Sequence, residues 1–242
     1  MKGGVAVVTG ASGGIGRAAA RLIGERSRGA LRLALHCHTN RAGAEELAAS
    51  LPGSFVAAAD LSTSAGRQSL LEQVLAVGEP AVLVNNAGVD RPHEPGLLVS
   101  EEAFDRITDV NLKAPLFLMK LFGRRMLGSG GGVIVNVTSV LAGKALTGSA
   151  VYRATKAALE ALTKQFAFEL GRGGVRVNAV APGFIETPMT EDIPEKVRDE
   201  VRGQTALGRL GTPEAVAAAV WHLIENEYIN GAVLRVDGGM AL

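Results

Sequence analysis

The chain has 242 residues, of which 47% are hydrophobic and 20% charged, a composition typical of one large globular α/β domain. Lysine plus arginine number 25 and aspartate plus glutamate 24, so the formal net charge is +1. Because no basic block could neutralise a run of phosphates, we expect one domain over residues 1–242 with no nucleic-acid partner.

Nothing in the sequence indicates a membrane or an oxidising compartment. The longest uncharged stretch, residues 126–143, contains five glycines together with Asn, Ser and Thr, and would span a bilayer poorly. Cys37 is the single cysteine, which excludes an internal disulfide framework, and the first residues lack the pattern of a signal peptide. We expect a cytoplasmic protein without a membrane segment.

Short runs rich in Val, Leu and Ile alternate along the chain with segments of helical periodicity. The predicted strands are residues 5–9, 31–36, 55–59, 81–85, 133–138, 175–180 and 232–236. The predicted helices are residues 14–27, 41–50, 63–77, 100–126, 150–170 and 213–226. Since continuously apolar strands are usually covered on both faces, the pattern predicts a single-domain, Rossmann-like doubly wound sheet of about seven parallel strands with helices on both faces.

The first predicted strand runs directly into TGASGGIG, residues 9–16, and then into the first helix. Glycines at 10, 14 and 16 permit a tight turn, the close approach of a pyrophosphate and close packing of helix on strand, which predicts dinucleotide binding. The same letters contain the G-x-S-x-G elbow of an α/β-hydrolase around Ser12. Only nine residues precede Gly10, which leaves no room for the strands and oxyanion loop that a hydrolase needs.

The second predicted strand ends where a dinucleotide fold recognises the adenosine ribose. Residues 31–41 contain no Asp or Glu, so the carboxylate that would bind a free 2′-hydroxyl is missing, which favours NADP(H). His38, Asn40 and Arg41 are the predicted partners of the 2′-phosphate. His36 and His38 share a strand face, but the chain has only four histidines and one cysteine, so we expect no metal site.

Two later segments break the regular alternation. Pro115 lies inside the long fourth helix and should bend it or mark an irregular turn. Residues 182–210 form a predicted irregular region that is longer than a connection needs to be, and long loops of that kind are usually lids or binding segments.

Tyr152 precedes Lys156 by four residues in AVYRATKAALEAL, residues 150–162, whose apolar periodicity is helical. Residues four apart lie on the same face of a helix, so the two side chains should be neighbours. An isolated Y-x-x-x-K is usually a core tyrosine beside a solvated lysine. The functional interpretation therefore depends on the other motifs.

Taken together, the motifs resemble those of the short-chain dehydrogenases/reductases along essentially all 242 residues. The matching stretches are TGASGGIG, Asp60-Leu61 after the third strand, NNAG at residues 85–88, Asn111, Ser139, YRATK at residues 152–156, and PG-x-x-x-T at residues 182–187. Their order and spacing also match the family's.

The resemblance implies a role for each matching residue. Tyr152 would be the general acid/base, Ser139 would polarise the substrate carbonyl, Lys156 would be an electrostatic and ribose-binding partner, and Asn111 would hold a proton-relay water. A cation 4 Å from a phenolate stabilises it by about 4 kcal/mol at an effective dielectric constant near 20, which would bring Tyr152 toward working range. The implied cofactor-binding residues are Gly10, Ser12, Gly13, Gly14, Ile15, Gly16, His38, Asn40, Arg41, Asp60, Leu61, Asn86, Ala87, Gly88, Tyr152, Lys156, Pro182, Gly183, Ile185 and Thr187.

Within the family, residues 177–190, 207–220 and 228–240 look most like the β-ketoacyl-acyl-carrier-protein reductases of fatty acid synthesis. This similarity implies NADPH-dependent reduction of a 3-oxoacyl thioester, delivered on an acidic carrier protein that would dock on a positive surface. The candidates for that surface are Arg124, Arg125, Arg172 and Arg176. Gly13 and His38 stand where many such reductases have arginine, and residues 127–132 lack the basic residues often found there.

Two other functions stay open at this stage. The same chemistry could act on another alcohol or ketone, such as a sugar, a steroid or an acyl-CoA, and residues 89–99 and 185–210 would decide the substrate. A catalytically silent nucleotide-binding protein could instead regulate or scaffold a partner.

The family usually forms homotetramers through its fourth and fifth helices and the C-terminal segment. Small and apolar residues that would serve such helix packing are Ala157, Ala158, Ala161 and Phe168.

Overall fold

The computed structural model describes residues 3–89, 95–191 and 193–242, except for the side chain of residue 189. Within them, seven strands form one fully parallel sheet in the order β3-β2-β1-β4-β5-β6-β7. The strands are β1 Val5–Val8, β2 Arg32–Cys37, β3 Ser54–Ala58, β4 Pro80–Asn85, β5 Gly132–Val137, β6 Val175–Pro182 and β7 Val233–Val236. The predicted doubly wound sheet is confirmed, and the predicted strand bounds are within two residues of the observed ones.

The helices are α1 Gly14–Ser27, α2 Arg41–Ser50, α3 Ser64–Leu75, α4 Glu101–Thr108, α5 Ala114–Gly128, α6 Ala150–Gly171, α7 Glu195–Gln204 and α8 Pro213–Glu225. Side-chain caps set several of the starts. Asn40, Thr63 and Thr212 each accept a hydrogen bond from a backbone amide in the first turn of the helix that follows. In the described residues, no helix combines the length and the apolar character that crossing a membrane requires.

The core consists of two apolar layers, one on each face of the sheet. Ala6 and Val8 of β1 face the layer that includes α1 and α8, whereas Val5 and Val7 face the layer that includes α3, α5 and α6. Because successive side chains of a strand point to opposite faces, β1 must be apolar at every position, and all four of its residues are buried. This packing fixes the carboxyl ends of the strands, where the candidate site lies.

The predicted fourth helix is interrupted. After α4 the chain makes a π turn, Asp109–Lys113, and then continues as α5 with Pro115 in its first turn. Proline fits there because the first turn of an α-helix leaves its amides without intrahelical partners. The irregularity thus precedes Pro115, and it carries Asn111. Such π turns are rare and often occur at functional sites.

The prediction that residues 182–210 form one irregular region is wrong. The segment contains a short 3₁₀ helix, Pro188–Thr190, and α7. Helix α7 has no buried residue and only two strongly apolar side chains, Val197 and Val201, which are too few to predict a helix from apolar periodicity. Charged groups stabilise it instead, since Arg202 donates hydrogen bonds to Glu195 at 2.7 Å and to Asp199 at 2.5 Å.

Candidate active site

The sequence-predicted site residues lie mostly at the carboxyl edge of the sheet. Strands β2 and β4 flank β1 on opposite sides, so the chain reverses its winding direction there. In open parallel sheets, ligands bind in the crevice at such a reversal. The predicted residues follow β1, β4, β5 and β6 directly, and α6 passes beside them.

The turn after β1 requires glycine at three positions. Gly10 and Gly14 adopt φ angles of +65° and +52°, a region that side chains disfavour. A Cβ on Gly16 would lie 2.2 Å from the carbonyl oxygen of Gly10, so α1 packs directly on the turn. Ser12 and Ile15 are half-buried in the same segment, with Ile15 packed against the α1 and α8 layer. The turn therefore presents backbone, with the N-terminus of α1 behind it.

Hydrogen bonds fasten this turn to the loop after β4. The hydroxyl of Thr9 accepts from the amides of Asn86 and Ala87, both at 2.9 Å. The side-chain amide of Asn86 donates to the carbonyl oxygens of Thr9 at 2.8 Å and Gly10 at 3.2 Å. The side chain of Asn86 thus holds the turn. We did not predict a role for Thr9, although its position before the first glycine was the available signal.

The segment after β6 closes on the same turn from the other side. A Cβ on Gly14 would lie 3.3 Å from the γ-methyl group of Thr187. Gly183 donates its amide to Val236, and a Cβ there would lie 2.8 Å from the Cα of Asp237. The structure therefore brings Thr187 to the turn after β1, and buried Ile185 lies in the same apolar layer as Ala11 of that turn. Pro182 is buried at the end of β6, and Gly183 contacts the segment after β7.

The residues predicted to bind a 2′-phosphate, His38, Asn40 and Arg41, are exposed at the end of β2. Asn40 caps α2, and Arg41 donates to Glu45 at 2.7 Å. Another pair, between Arg17 and Glu46, lies between α1 and α2. Residues 31–41 contain no Asp or Glu. However, the first two turns of α2 bring two carboxylates, those of Glu45 and Glu46, to this surface. Exposed pairs of this kind contribute about 0–1 kcal/mol, so a ligand phosphate can compete for these arginines.

Asp60 and Leu61 follow β3 on the same edge. One carboxylate oxygen of Asp60 accepts from the amide of Ser62 at 3.0 Å and from its hydroxyl at 2.7 Å. These bonds lower the pKa of Asp60. The guanidinium of Arg67 is buried and donates to the carbonyl oxygens of Leu61 and Ser62, which fixes the shape of the turn.

Lys156 is buried beside Tyr152, as their spacing predicts. Its ammonium donates to the carbonyl oxygen of Val137 at 2.9 Å, and only 5% of the residue is exposed. Burial lowers the pKa of Lys156 to about 8. The Lys156 nitrogen lies 5.5 Å from the centre of the Tyr152 ring, and Tyr152 itself is half-buried. The structure thus fixes a cation next to this phenol.

Asn111 is fixed on the π turn. Its amide oxygen accepts from the amide of Val89 at 2.8 Å and its amide nitrogen donates to the carbonyl oxygen of Val89 at 2.9 Å. A Cβ on Gly88 would lie 3.3 Å from the Asn111 oxygen and 3.9 Å from the Lys156 nitrogen. The Asn111 side chain therefore holds the loop after β4 next to Lys156.

Ser139 lies just beyond β5 and is 7% exposed. Its hydroxyl oxygen accepts from the amide of Leu141 at 3.2 Å and caps a short 3₁₀ helix, Val140–Ala142. The residue also lines a cavity of about 610 Å³ that extends to Lys144, Glu160 and Arg235. A second cavity, of about 480 Å³, lies between Pro95 and the start of α6.

One of the four arginines predicted to form a docking surface is used inside the fold. Arg176 donates to the carbonyl oxygens of Leu223, Ile224 and Ile229 at 2.7–3.0 Å, where α8 ends. Arg124, Arg125 and Arg172 are exposed, and Arg125 makes a surface ion pair with Glu79. The sequence could not distinguish these cases because the partners of Arg176 are backbone carbonyls about 50 residues away.

His36, for which the sequence predicted no role, is buried between β1 and β3 with hydrogen bonds at both ring nitrogens. No cluster of three or more His, Cys, Asp or Glu suited to a metal ion occurs in residues 3–89, 95–191 and 193–242.

Comparison with known proteins agrees with this geometry. A family model described as "Enoyl-(Acyl carrier protein) reductase" matches residues 10–241. A 3-oxoacyl-(acyl-carrier-protein) reductase of Pseudomonas aeruginosa is 38% identical over 247 residues, covering 99% of this chain and 98% of the relative. A (3R)-3-hydroxyacyl-CoA dehydrogenase of Mus musculus is 39% identical over 257 residues, covering 99% and 97%.

Among solved structures, one titled "short chain dehydrogenase/reductase family protein" superposes with a TM-score of 0.89 at 34% identity, covering 99% of this chain and 98% of that one. The family's dinucleotide turn, its Tyr-Lys pair and its sheet order are all present in this structure. The chain belongs to the short-chain dehydrogenase/reductase family and is an oxidoreductase that uses a nicotinamide cofactor.

Proposed function

We propose that this protein reduces a 3-oxoacyl thioester to the 3-hydroxyacyl thioester with NADPH, the substrate being carried on acyl-carrier protein in fatty acid synthesis. The observation that carries the proposal is the buried ammonium of Lys156, fixed by Val137 beside the ring of Tyr152. Desolvation disfavours a buried cation, so the burial of this ammonium indicates a function that offsets its cost in free energy. Stabilising the phenolate form of Tyr152 is such a function. The whole chain, residues 1–242, would act as one NADP(H)-binding domain.

The residues around the turn fit a dinucleotide. Gly10, Gly14 and Gly16 leave backbone rather than side chains at the start of α1, and the free amides of a helix N-terminus are the groups that bind a pyrophosphate. The other residues that would hold the cofactor are Ser12, Gly13, Ile15, Asp60, Leu61, Asn86, Ala87, Gly88, Pro182, Gly183, Ile185 and Thr187, together with Tyr152 and Lys156. Asn86 would contribute through its backbone, since its side chain is bound to the turn.

When bound, the nicotinamide ring supplies a hydride to the substrate carbonyl carbon. Tyr152 donates its phenolic proton to the oxygen that becomes the alcohol, a role for which general acid catalysis typically contributes about 10²- to 10⁴-fold. The Lys156 ammonium attracts the phenolate left behind. Ser139 donates to the same substrate oxygen, because its own oxygen accepts from Leu141 and its hydrogen can point outward. Asn111 keeps the loop at Val89 in place, and the role that we propose for it is to hold a proton-relay water.

A preference for NADPH follows from the charges at the end of β2. No carboxylate lies in residues 31–41 to bind a free 2′-hydroxyl, and His38, Asn40 and Arg41 are exposed there. Glu45 neutralises Arg41 only through an exposed pair. A 2′-phosphate, with more charge than one carboxylate, would compete for this arginine.

A second candidate is supported by a particular comparison. The mouse relative named a (3R)-3-hydroxyacyl-CoA dehydrogenase is as similar to this chain as the bacterial reductase is. Both names describe the same carbon and oxygen chemistry on a thioester, carried on protein in one case and on coenzyme A in the other. Arg124, Arg125 and Arg172, the exposed arginines of the predicted docking surface, favour the acidic carrier protein.

We further propose that the enzyme is cytoplasmic and forms a homotetramer. On α6, Ala157, Ala161 and Phe168 are exposed, Ala158 is half-buried, and on α5 Phe117 and Leu127 are exposed. Small residues that point away from their own sheet permit close helix packing between subunits. Phe168 is 84% exposed, which favours burial in an assembly.

The test is a comparison of acetoacetyl-acyl-carrier protein with acetoacetyl-CoA, using NADPH or NADH and following nicotinamide absorbance. We expect NADPH oxidation that is faster with the carrier protein. Tyr152→Phe should lose at least about 100-fold in kcat, whereas Tyr228→Phe should not, because the only other tyrosine is fully exposed. Faster turnover with coenzyme A would favour the second candidate, and NADPH binding without turnover would favour a silent nucleotide-binding protein.

A further inference from the structure

His36 connects the two loops that flank the adenosine half of the crevice. It lies on β2 and is 2% exposed. Its Nδ1 accepts a hydrogen bond from the amide of Gly10 at 3.1 Å, and its Nε2 lies 3.0 Å from the carbonyl oxygen of Ala59. Gly10 opens the turn after β1, and Ala59 directly precedes Asp60. One imidazole ring therefore spans from the turn after β1 to the loop after β3.

The two contacts determine the protonation state of the ring. The Gly10 amide can only donate, so Nδ1 must be unprotonated, and the Ala59 carbonyl can only accept, so Nε2 must carry the hydrogen. Only the neutral tautomer protonated at Nε2 satisfies both. Burial lowers the pKa of His36 to about 4, which keeps the ring neutral at neutral pH.

The ionisable groups near the ring are few. One residue past the end of β2, His38 contributes charge repulsion that disfavours a cation at His36, and beyond β3 the carboxylate of Asp60 is held by Ser62. Arg67 of α3 binds carbonyl oxygens of the loop after Asp60. Residues 5–12 of β1 and its turn carry no ionisable side chain.

The backbone of His36 strengthens this connection. Its carbonyl oxygen accepts from the amide of Ala11 at 2.9 Å, so two successive amides of the turn bind the same residue. Gly10 is also the glycine on which Gly16 packs, with no room for a Cβ between them. A displacement of Gly10 would therefore move the start of α1, the helix N-terminus at which we propose that the pyrophosphate binds.

We propose that His36 is a positioning residue that holds the nucleotide turn in the geometry that accepts the cofactor pyrophosphate, and so sets dinucleotide affinity rather than the rate of hydride transfer. The inference rests on the proposed binding of a dinucleotide at this turn. The contact that matters is the acceptor at Nδ1, because it fixes the Gly10 amide, while the donor at Nε2 fixes only the loop before Asp60.

Two substitutions separate the two hydrogen bonds. In His36→Asn the amide oxygen can occupy the position of Nδ1 and accept from Gly10, while the contact to Ala59 is lost. In His36→Gln the longer side chain places an amide nitrogen near the position of Nε2 to donate to Ala59, while the acceptor for Gly10 is lost. His222→Gln, at an exposed position on α8, is the matched control.

The experiment measures the dissociation constant for NADPH by fluorescence titration, and kcat at saturating NADPH, for the four proteins. We expect His36→Gln to raise the Kd about tenfold with kcat within about twofold of wild type, because an unsatisfied buried amide releases the turn. His36→Asn and His222→Gln should keep the Kd within about threefold. Equal Kd values in the Gln and Asn variants at position 36, or a loss in kcat as large as that in affinity, would overturn the proposal.

A measurement on the wild-type protein covers the case in which a variant fails to fold. Nitrogen-15 NMR of labelled histidine should show His36 neutral, with hydrogen on Nε2, at pH 6 and 7. Hydrogen on Nδ1, or a doubly protonated ring, would contradict the assigned acceptor. If wild-type protein binds no dinucleotide at all, the proposed function fails, whereas normal binding by wild type and by His36→Gln would refute only this inference.

Discussion

Replacing Gly13 with arginine should increase the affinity for NADPH without changing that for NADH. Gly13 has φ −167° and ψ 172°, an extended conformation open to any residue. A Cβ there would meet no atom within 4 Å. The position precedes α1, in the turn whose Ser12 carbonyl oxygen lies next to Gly43 of α2. An arginine at this position can therefore reach the region of His38 and Arg41 without strain in the turn.

The expected gain comes from a new bond to the 2′-phosphate. A hydrogen bond between arginine and a phosphate contributes about 1.5–3 kcal/mol, and the lower value suits this exposed site. A gain of about 1.5 kcal/mol corresponds to a roughly tenfold lower Kd for NADPH. The basic residue at the N-terminus of α1 and the loss of the glycine N-cap act with and without NADPH, so they lower the free energy of unfolding and not the affinity.

The assay is a fluorescence titration of wild type, Gly13→Arg and Gly13→Gln with NADPH and NADH at low and high salt. Gly13→Gln is the control because it has a similar length and the same effect on the helix start but no charge. The gain in Gly13→Arg should shrink at high salt. An equal change for both cofactors, or the same gain in Gly13→Gln, would refute the argument that the cation binds the 2′-phosphate.

Three further predictions concern stability and the turn. Gly16→Ala would place a methyl group 2.2 Å from a backbone oxygen of the turn, so the affinity for NADPH should fall more than tenfold. Gly203→Ala meets open space and should leave the affinity unchanged. Equal Kd values in the two variants would contradict the contact between Gly16 and Gly10. Arg176→Met removes three hydrogen bonds at the end of α8 and should lower the free energy of unfolding by about 2–3 kcal/mol, against about 0.5 kcal/mol or less for exposed Arg172→Met, as urea titration can check. The pKa of His36 is 6.5 in the unfolded chain and about 4 in the folded protein, so the unfolded chain binds more protons between these pH values. As the pH falls from 6.5 to 4, the wild type should therefore lose up to about 3 kcal/mol of its free energy of unfolding relative to His36→Asn. Parallel stability profiles of the two proteins against pH would exclude protonation of His36 as a cause of acid destabilisation.

Features set by local sequence were predictable. The strands are continuously apolar because two layers cover them, and the glycines of the turn after β1 mark a close approach that no other residue permits. The neighbouring positions of Tyr152 and Lys156 follow from helical geometry alone, and the structure confirms them. In these cases the information lies within about 15 residues of the feature that it predicts.

Features set by distant partners were not predictable in this way. Helix α7 has no apolar face, and the π turn at Asn111 exists together with a pair of hydrogen bonds to Val89, 22 residues earlier. His36 and Arg176 form hydrogen bonds with backbone groups of other strands, helices and loops. The residues next to them in the sequence therefore do not predict these bonds. Glu45 and Glu46, the carboxylates that bind Arg41 and Arg17, lie on α2. The prediction of cofactor preference considered only the residues at the end of β2 and therefore did not include them.

The fastening of Thr9 to Asn86 also affects how the chain folds during synthesis. These residues are separated by 77 positions, and β1 pairs with β4 across a similar interval. At about 5–20 residues per second, a ribosome needs about 4 to 15 s to make the intervening chain. Until β4 has been made, the apolar segment Val5–Val8 lacks at least one of its two neighbouring strands, β2 and β4. Nascent chains shorter than about 86 residues should therefore expose an unpaired apolar strand that is prone to aggregation. We expect these chains to depend most on a chaperone that prevents aggregation.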